Sequence, residues 1–139
     1  MAILITKDLE VQGISVDQLY LRTNLYLDFS GDLLKCKVFP YYDKTLFVTD
    51  QDANILNIPI LKKNYTMSYG SSINGDVLVY SHNQIVSELS TDIYEDVPVL
   101  DPSTGEYQYD PSTGELITES VISVPKFADI SEITIVDLD

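Results

Sequence analysis

The chain has 139 residues, 45% of them hydrophobic, and a formal net charge of −14 at pH 7. A chain of this length buries a core without a metal or a disulfide, so the composition favours one globular domain, with or without an arm, over a disordered chain. Only 8 Lys and Arg stand against 22 Asp and Glu. Direct binding to nucleic acid or to an anionic membrane surface is therefore not expected, because both need clustered basic side chains.

Cysteine usage and hydropathy point to a reducing compartment. The single cysteine, Cys36, excludes an intrachain disulfide. The apolar stretch of residues 1–6 is too short for a signal peptide, and no apolar run approaches the roughly 20 residues of a membrane span. We expect a cytoplasmic protein, or a component of a particle that is assembled in a reducing compartment.

The clearest local pattern covers residues 19–40. Apolar and polar side chains alternate from Leu19 to Phe29, which predicts a strand with one buried face. Residues 30–32, Ser-Gly-Asp, predict a turn, and residues 33–40 predict the returning strand of a β-hairpin. On that strand Cys36 shares a face with Leu34 and Val38, so we expect it to be a small core residue.

Turn residues divide the rest of the first two thirds into short segments. Further strands are predicted at residues 3–7, 45–49, 55–61, 65–69 and 77–80. Polar turns are predicted at residues 50–54, 62–64 and 70–76, the last containing the tight-turn dipeptide Asn74-Gly75. Ser81 and Gln84 have the spacing of a helix capping box, and Ile85, Val86 and Leu89 then share one helical face, so one short helix is predicted near residues 82–90.

The last third contains a tandem repeat. Asp101-Pro-Ser-Thr-Gly-Glu-Tyr-Gln-Tyr is followed directly by Asp110-Pro-Ser-Thr-Gly-Glu-Leu-Ile-Thr, a period of nine residues. In each copy Asp accepts a backbone hydrogen bond, Pro presets φ and Gly supplies a left-handed position, so each copy predicts a turn. The duplication is interpreted as that of a hairpin tip, with a repeated partner-binding element as the alternative. Strands are predicted at residues 116–124 and 132–138.

Charge separates this last third from the rest. Residues 1–91 have a net charge of −3, whereas residues 92–139 have one Lys, 12 acidic residues and a net charge of −11. The prediction is a mainly β fold: an antiparallel sandwich or barrel-like core over residues 1–91, with one short helix. Residues 92–139 are predicted to be an acidic hairpin or arm, packed on the core or on a neighbour.

The sequence offers few residues for catalysis. The only imidazole, His82, is predicted to be a solvated residue at the helix start, and no nucleophile elbow or phosphate loop is present. Asp50, Asp52 and Asn54 match the first positions of an EF-hand loop. The match fails at Ile55 and Leu61, so a polar turn is the better interpretation. We expect no enzyme activity, no catalytic residue, no cofactor and no metal, and a small-molecule ligand is not expected.

Taken as a whole, the sequence resembles the small β-rich virion proteins of tailed bacteriophages, including those of crAss-like phages. The residues that carry this resemblance are the N-terminal segment 1–6, the Tyr-rich run 20–42, the Asp-Pro-Ser-Thr-Gly-Glu copies and the acidic end 133–139. The resemblance implies a capsid, neck, tail or fibre component present in many copies, and it transfers no functional residue.

The expected function is that of a structural subunit in a homomeric or mixed assembly, located in a virion. Candidate interaction residues are Asp101, Tyr107, Tyr109, Asp110 and Phe127, since exposed tyrosines are enriched at interfaces. The alternative is a free acidic binding module. One form would be an inhibitor that mimics nucleic acid, and another a carbohydrate-binding β-sandwich, which the absence of Trp argues against.

Overall fold

The computed structural model describes residues 1–28, 32–68 and 76–138, and the chain divides into two compact units. Unit 1 comprises Met1–Ser90 and Phe127–Asp139, and unit 2 comprises Thr91–Lys126. The predicted mainly β, antiparallel class is confirmed. The strands are β1 (Ala2–Val11), β2 (Ile14–Asp28), β3 (Leu33–Tyr41), β4 (Asn64–Ser68), β5 (Ile93–Pro98), β6 (Thr118–Val124) and β7 (Ile133–Val136).

Unit 1 is built on a five-stranded antiparallel sheet with the order β4-β3-β2-β1-β7. The predicted hairpin over residues 19–40 is confirmed, with β2 and β3 paired from Tyr20↔Tyr41 to Asp28↔Leu33. Of the turn predicted at residues 30–32, residues 30 and 31 lie outside the described ranges, and Asp32 lies in a turn.

The first hairpin is longer than the sequence predicted. Strand β1 runs to Val11 and β2 begins at Ile14, so Gln12 and Gly13 alone connect them. Both residues have positive φ, 54° and 81°, as a tight two-residue hairpin turn requires. The glycine of this dipeptide was the available signal for the turn.

One face of this sheet forms the main core. Leu19 and Leu21 on β2 are fully buried, as their alternation predicted, and Cys36 is a core residue with 1% of its surface exposed. A 13-residue helix, α2 (Val77–Leu89), contributes Ile85 and Leu89 to this cluster. The predicted helix therefore exists, and its buried face closes the core.

Helix α2 begins earlier than the predicted capping box implied. The predicted strand at residues 77–80 is wrong, because Asp76 caps the helix by accepting a hydrogen bond from Leu78 N at 2.8 Å. Ser81 is not the cap: it is buried in the second turn, and its hydroxyl donates to Leu78 O. An acidic residue directly before the apolar run was the true start signal. The predicted turn at residues 70–76 falls on residues outside the described ranges, apart from Asp76.

The strand predicted at residues 45–49 is also wrong, because this segment is a short helix, α1 (Lys44–Thr49). The side chain of Asp43 accepts from Leu46 N at 2.9 Å and starts the helix. The β-branched composition of residues 45–49 had suggested a strand. Packing decides otherwise: Phe47 lies edge-on against Tyr41 with ring centroids 5.2 Å apart.

The strand predicted at residues 55–61 does not form. The segment is irregular, and Pro59, which has no N–H to donate to a ladder, lies within it. Leu56 N nevertheless donates to Pro40 O at 2.8 Å, and Ile58 and Leu61 are buried in the main core. The apolar pattern was a signal of burial and not of a strand.

The opposite face of the sheet holds a second, smaller cluster. Ala2, Tyr20 and Tyr41 are buried there, with Phe47 of α1 packed against them. The hydroxyl of Tyr20 donates to the carboxylate of Asp137, just after β7. Helix α1 thus covers one end of a face that the alternation had assigned to solvent.

The C-terminal strand belongs to unit 1. Strand β7 pairs with β1 from Ala2↔Val136 to Ile5↔Ile133, and Phe127–Asp139 belongs to unit 1. The chain re-enters unit 1 where Phe127 N donates to Leu89 O at 2.8 Å. Unit 2 is therefore an insertion in the chain of unit 1, between Ser90 and Phe127. No helix in the described ranges is long and apolar enough to cross a membrane.

Candidate interaction surfaces

Unit 2 is a β-hairpin extended by the tandem repeat. Strands β5 and β6 pair from Tyr94↔Ile122 to Pro98↔Thr118. At the end of the hairpin away from the repeat, the side chain of Asp92 accepts a hydrogen bond from Lys126 N at 2.7 Å. Beyond Pro98 the ladder gives way to isolated bridges, Leu100↔Tyr107 and Tyr109↔Leu116. Each bridge flanks one copy of the repeat.

The two copies form turns with the same geometry. Asp101 Oδ1 accepts from Ser103 N at 2.8 Å and from Ser103 Oγ at 2.6 Å, and Asp101 O accepts from Gly105 N at 2.8 Å. The second copy repeats all three distances with Asp110, Ser112 and Gly114. Both glycines have φ of 73°. The predicted turn chemistry is confirmed in both copies.

A three-way hydrogen-bond junction explains the nine-residue period. Val99 N donates to Ile117 O, Gln108 N donates to Val99 O, and Ile117 N donates to Gln108 O, at 3.0–3.1 Å. These three residues are nine apart in sequence, so each copy returns the chain to an equivalent position in a closed ring. Duplication of a hairpin tip does not by itself predict this ring. The ring also needs Val99, which lies directly after β5 and outside both copies of the repeat.

Unit 2 has no buried residue, and many of its apolar side chains are exposed. No residue from Thr91 to Lys126 is buried. Tyr107 and Tyr109 are each 58% exposed. The other exposed large apolar side chains of this unit are Ile93, Tyr94, Leu100, Leu116, Ile117, Ile122 and Val124. A two-stranded hairpin is at best marginally stable alone in water, and large exposed apolar patches are unusual on a protein surface.

The predicted interaction residues differ in their surroundings. Tyr107 and Tyr109 line a shallow hollow of about 450 Å³ together with Leu100, Gly105 and Glu106. The carboxylates of Asp101 and Asp110 are already engaged inside their own turns, and hydrogen bonds from Ser103 and Ser112 lower their pKa values. The side chains of Asp101 and Asp110 thus stabilise the turns that lie next to Tyr107 and Tyr109 in the sequence.

Phe127 does not belong to this surface. Its side chain is only 8% exposed, and it lies in the main core of unit 1. The ammonium group of Lys7 lies 5.6 Å from the centre of its ring. Phe127 is thus an anchor where the insertion returns to unit 1, and its place next to the acidic segment in sequence was misleading.

His82 and Cys36 are both inside unit 1. His82, which we predicted to be solvated, is fully buried. Its Nδ1 lies 2.7 Å from Leu78 O and therefore donates, while Nε2 lies 3.3 Å from the hydroxyl of Thr23. Burial lowers the pKa of His82 and raises that of Cys36 to about 11. At neutral pH the imidazole is uncharged and the thiol protonated, so this pair supplies no thiolate nucleophile.

In the acidic turn at residues 50–54, the side chains of Asp50 and Asn54 form hydrogen bonds with backbone groups of the turn and of α1. Asp50 Oδ1 accepts from the backbone N–H groups of Asp52 and Ala53, each at 3.1 Å. Asn54 Nδ2 donates to Leu46 O at 2.9 Å. Within the described residues no group of three or more His, Cys, Asp or Glu side chains is placed to hold a metal ion. The structure is that of the polar turn that the sequence favoured.

Unit 1 has a cavity of about 270 Å³ on the face that α1 partly covers. It is lined by Arg22, Thr23, Asn24, Phe39, Tyr41, Phe47, Gln51, Asp52 and Ile55. The guanidinium of Arg22 stacks over Phe47, 4.7 Å from the ring centre, and donates to Met1 O at 3.2 Å. Arg22 is thus held by contacts within the unit.

In comparisons with known proteins, neither a family model, nor a curated protein, nor a solved structure matches the chain.

Proposed function

We propose that this chain is a structural subunit of a protein assembly and that unit 2 is its docking element. The observation that carries the proposal is the contrast between order and exposure in unit 2. Its turns, bridges and three-way junction are closed by hydrogen bonds, yet no residue from Thr91 to Lys126 is buried. Hydrogen bonds fix the shape of the surface, and burial of the exposed apolar side chains is left to another subunit.

We further propose that the assembly is the virion of a tailed bacteriophage, with this chain as a capsid, neck, tail or fibre component. Support comes from the resemblance of residues 1–6, 20–42 and 133–139 and of the repeat to small β-rich virion proteins. A protonated, buried Cys36 suits folding in a host cytoplasm. Genes for portal, capsid or tail proteins beside this gene would support the assignment, and a metabolic operon would contradict it.

Light scattering after size exclusion tests the docking element. The mass of the monomer is 15.6 kDa. We expect the wild-type chain to exceed this mass as its concentration rises, or in the presence of the other virion proteins. The double substitution Tyr107→Ser with Tyr109→Ser should abolish the increase.

Ile14→Ser is the matched control, because Ile14 is a large apolar side chain of unit 1 that is 67% exposed. It should leave the association intact. A wild-type chain that stays at the monomer mass, alone and with virion proteins, would contradict the proposal. Equal effects of the unit 1 and unit 2 substitutions would contradict the assignment of the docking surface.

A free acidic binding module is the second candidate. Unit 2 has eight carboxylates and one lysine, which suits an inhibitor that mimics a nucleic-acid backbone, and its tyrosine-lined hollow suits a carbohydrate. Electrophoresis with a basic nucleic-acid-binding protein at low and high salt tests the first form, since mimicry predicts salt-sensitive binding. A glycan array tests the second.

A further inference from the structure

The two outer strands of the unit 1 sheet, β4 and β7, have surroundings of opposite charge. At the β4 edge, Lys62 and Lys63 directly precede the strand, and Lys35 and Lys37 lie on the neighbouring strand β3. At the β7 edge the flanking residues are acidic: Asp129, Glu132 and Asp137. In a chain with net charge −14 the β4 edge is thus the one that attracts an acidic partner.

The lysines at the β4 edge keep positive charge in excess. Lys35 pairs with Asp28 at 3.3 Å and Lys62 pairs with Glu88 at 3.5 Å. Lys37 is exposed, with its ammonium group 5.9 Å from the ring centre of Phe39, and Lys63 is exposed as well. Four lysines thus stand against three carboxylates, those of Asp28, Glu88 and Asp32, the last directly before β3. At the β7 edge, Asp137 is paired with Lys44 at 2.8 Å, and the flanking residues keep a negative excess.

The two faces of the unit 2 hairpin differ in their side chains. The register of β5 and β6 places Glu95 and Glu119 on one face, each opposite a valine, and the large apolar side chains of Tyr94 and Ile122 on the other, beside Asp96. Strand β6 is an outer strand with no proline, so its free edge is able to pair with another strand.

The β4 strand has matching faces. Tyr65 and Met67 point into the main core, whereas Asn64 and Thr66 are exposed and share a face with Lys37 and Lys35. Adding β6 beside β4 therefore allows Glu95 and Glu119 to lie on the lysine side while Tyr94 and Ile122 continue the apolar side. This orientation matches the two glutamates with the lysines, while Asp96 lies on the apolar side and Val97 and Val121 on the lysine side.

We propose that unit 2 of a second copy docks at the β4 edge, with β6 extending the sheet. This inference rests on the proposed function and names the partner of its docking element. The contact is heterologous, since the two surfaces differ, so each copy offers one docking element and one acceptor edge. Repetition of such a contact forms a ring or an open fibre.

Charge reversal tests the acceptor edge and the hairpin separately. Sedimentation velocity of the full chain should show Lys37→Glu and Glu119→Lys each weakening self-association by roughly fivefold. A mixture of the two variants should recover most of the affinity, because each supplies the surface that the other has lost. The matched control is Glu115→Lys in unit 2, which carries the same charge change as Glu119→Lys at an exposed residue of the second repeat turn, away from the proposed contact.

Hydrogen exchange adds a readout of the strand pairing. Amides of residues 64–68 should become protected with rising concentration in the wild type and not in Lys37→Glu. If the unit 2 tyrosine variant loses association while Lys37→Glu and residues 64–68 are unaffected, this inference is wrong and the proposed function stands. A chain that stays monomeric alone but joins virion proteins through unit 2 would likewise overturn the contact at β4 and leave the proposed function standing.

Discussion

Units 1 and 2 reach an ordered structure in different ways. Unit 1 buries apolar side chains on both faces of a five-stranded sheet, with α2 closing one face and α1 part of the other. Unit 2 has no buried residue and consists of repeated turns, a short hairpin and a three-way junction. Hydrogen bonds define a conformation, but burial of apolar surface supplies most of the folding free energy. Unit 2 therefore has a defined shape and an exposed apolar surface, and this combination is the basis on which we propose that it is a docking element.

The largest expected difference between the two units is in how much the loss of an apolar side chain lowers the free energy of unfolding. Ile85→Ala removes a fully buried side chain of α2 and should lower the free energy of unfolding by roughly 3 kcal/mol. Ile122→Ala removes a side chain of β6 that is 51% exposed, and should change it by less than about 0.5 kcal/mol in dilute solution. Urea denaturation of both variants measures the difference. Equal losses would show that unit 2 contributes to a shared core.

Near neutral pH, the free energy of unfolding should depend on pH through His82 of unit 1. Burial lowers the pKa of His82, while the unfolded histidine has a pKa of about 6.5. The unfolded state therefore takes up a proton first as the pH falls, so stability holds above about pH 6.5 and declines below it. The slope should be at most about 1.4 kcal/mol for each pH unit.

Urea denaturation at pH 7.5 and 5.5 measures this decline. His82→Asn should be less stable than the wild type and should lose the dependence, because it keeps a donor near Leu78 O without titrating. A wild-type chain equally stable at both pH values would contradict the buried, neutral state of His82.

Glycine substitutions offer a smaller and more local comparison. Gly13 and Gly105 both have positive φ, and a Cβ added at either meets no atom within 4 Å. Alanine at either position therefore costs conformational energy alone, about 1 kcal/mol. Gly13→Ala should lower the global stability of unit 1 by this amount. Gly105→Ala should leave global stability unchanged and speed amide exchange around Tyr107. A global loss in both variants would mean that the units unfold together.

The sequence predicted the parts of the fold that depend on local pattern. Alternation identified the β2–β3 hairpin and its buried face, and the turn chemistry of the repeat was correct in each copy. These features depend on neighbouring residues. Apolar segments such as residues 45–49 and 77–80 were assigned to strands, since β-branched composition does not distinguish a strand from a buried helix. Asp43 and Asp76, each close before an apolar run, were the available helix signals.

The rest of the site depended on contacts distant in sequence. His82 is buried because α2 lies against the sheet, where Thr23 meets its ring, and no local pattern shows this. Phe127 stands next to the acidic segment but is anchored in unit 1 by packing and by the bond to Leu89. The charge contrast between the β4 and β7 edges required knowledge of the strand order. Tyr107 and Tyr109 are exposed in the structure, and their role in an interaction stays a prediction.

Hydroxyl-radical footprinting of tyrosines tests most directly whether unit 2 is covered by another subunit. Tyr107 and Tyr109 are 58% exposed in the single chain, and Tyr26 of unit 1 is 56% exposed, so Tyr26 is a matched internal reference. In the assembled state, Tyr107 and Tyr109 should be oxidised several times more slowly than in dilute solution, while Tyr26 reacts at an unchanged rate. If all three tyrosines keep the same reactivity from the dilute chain to the assembled particle, unit 2 is not the docking element.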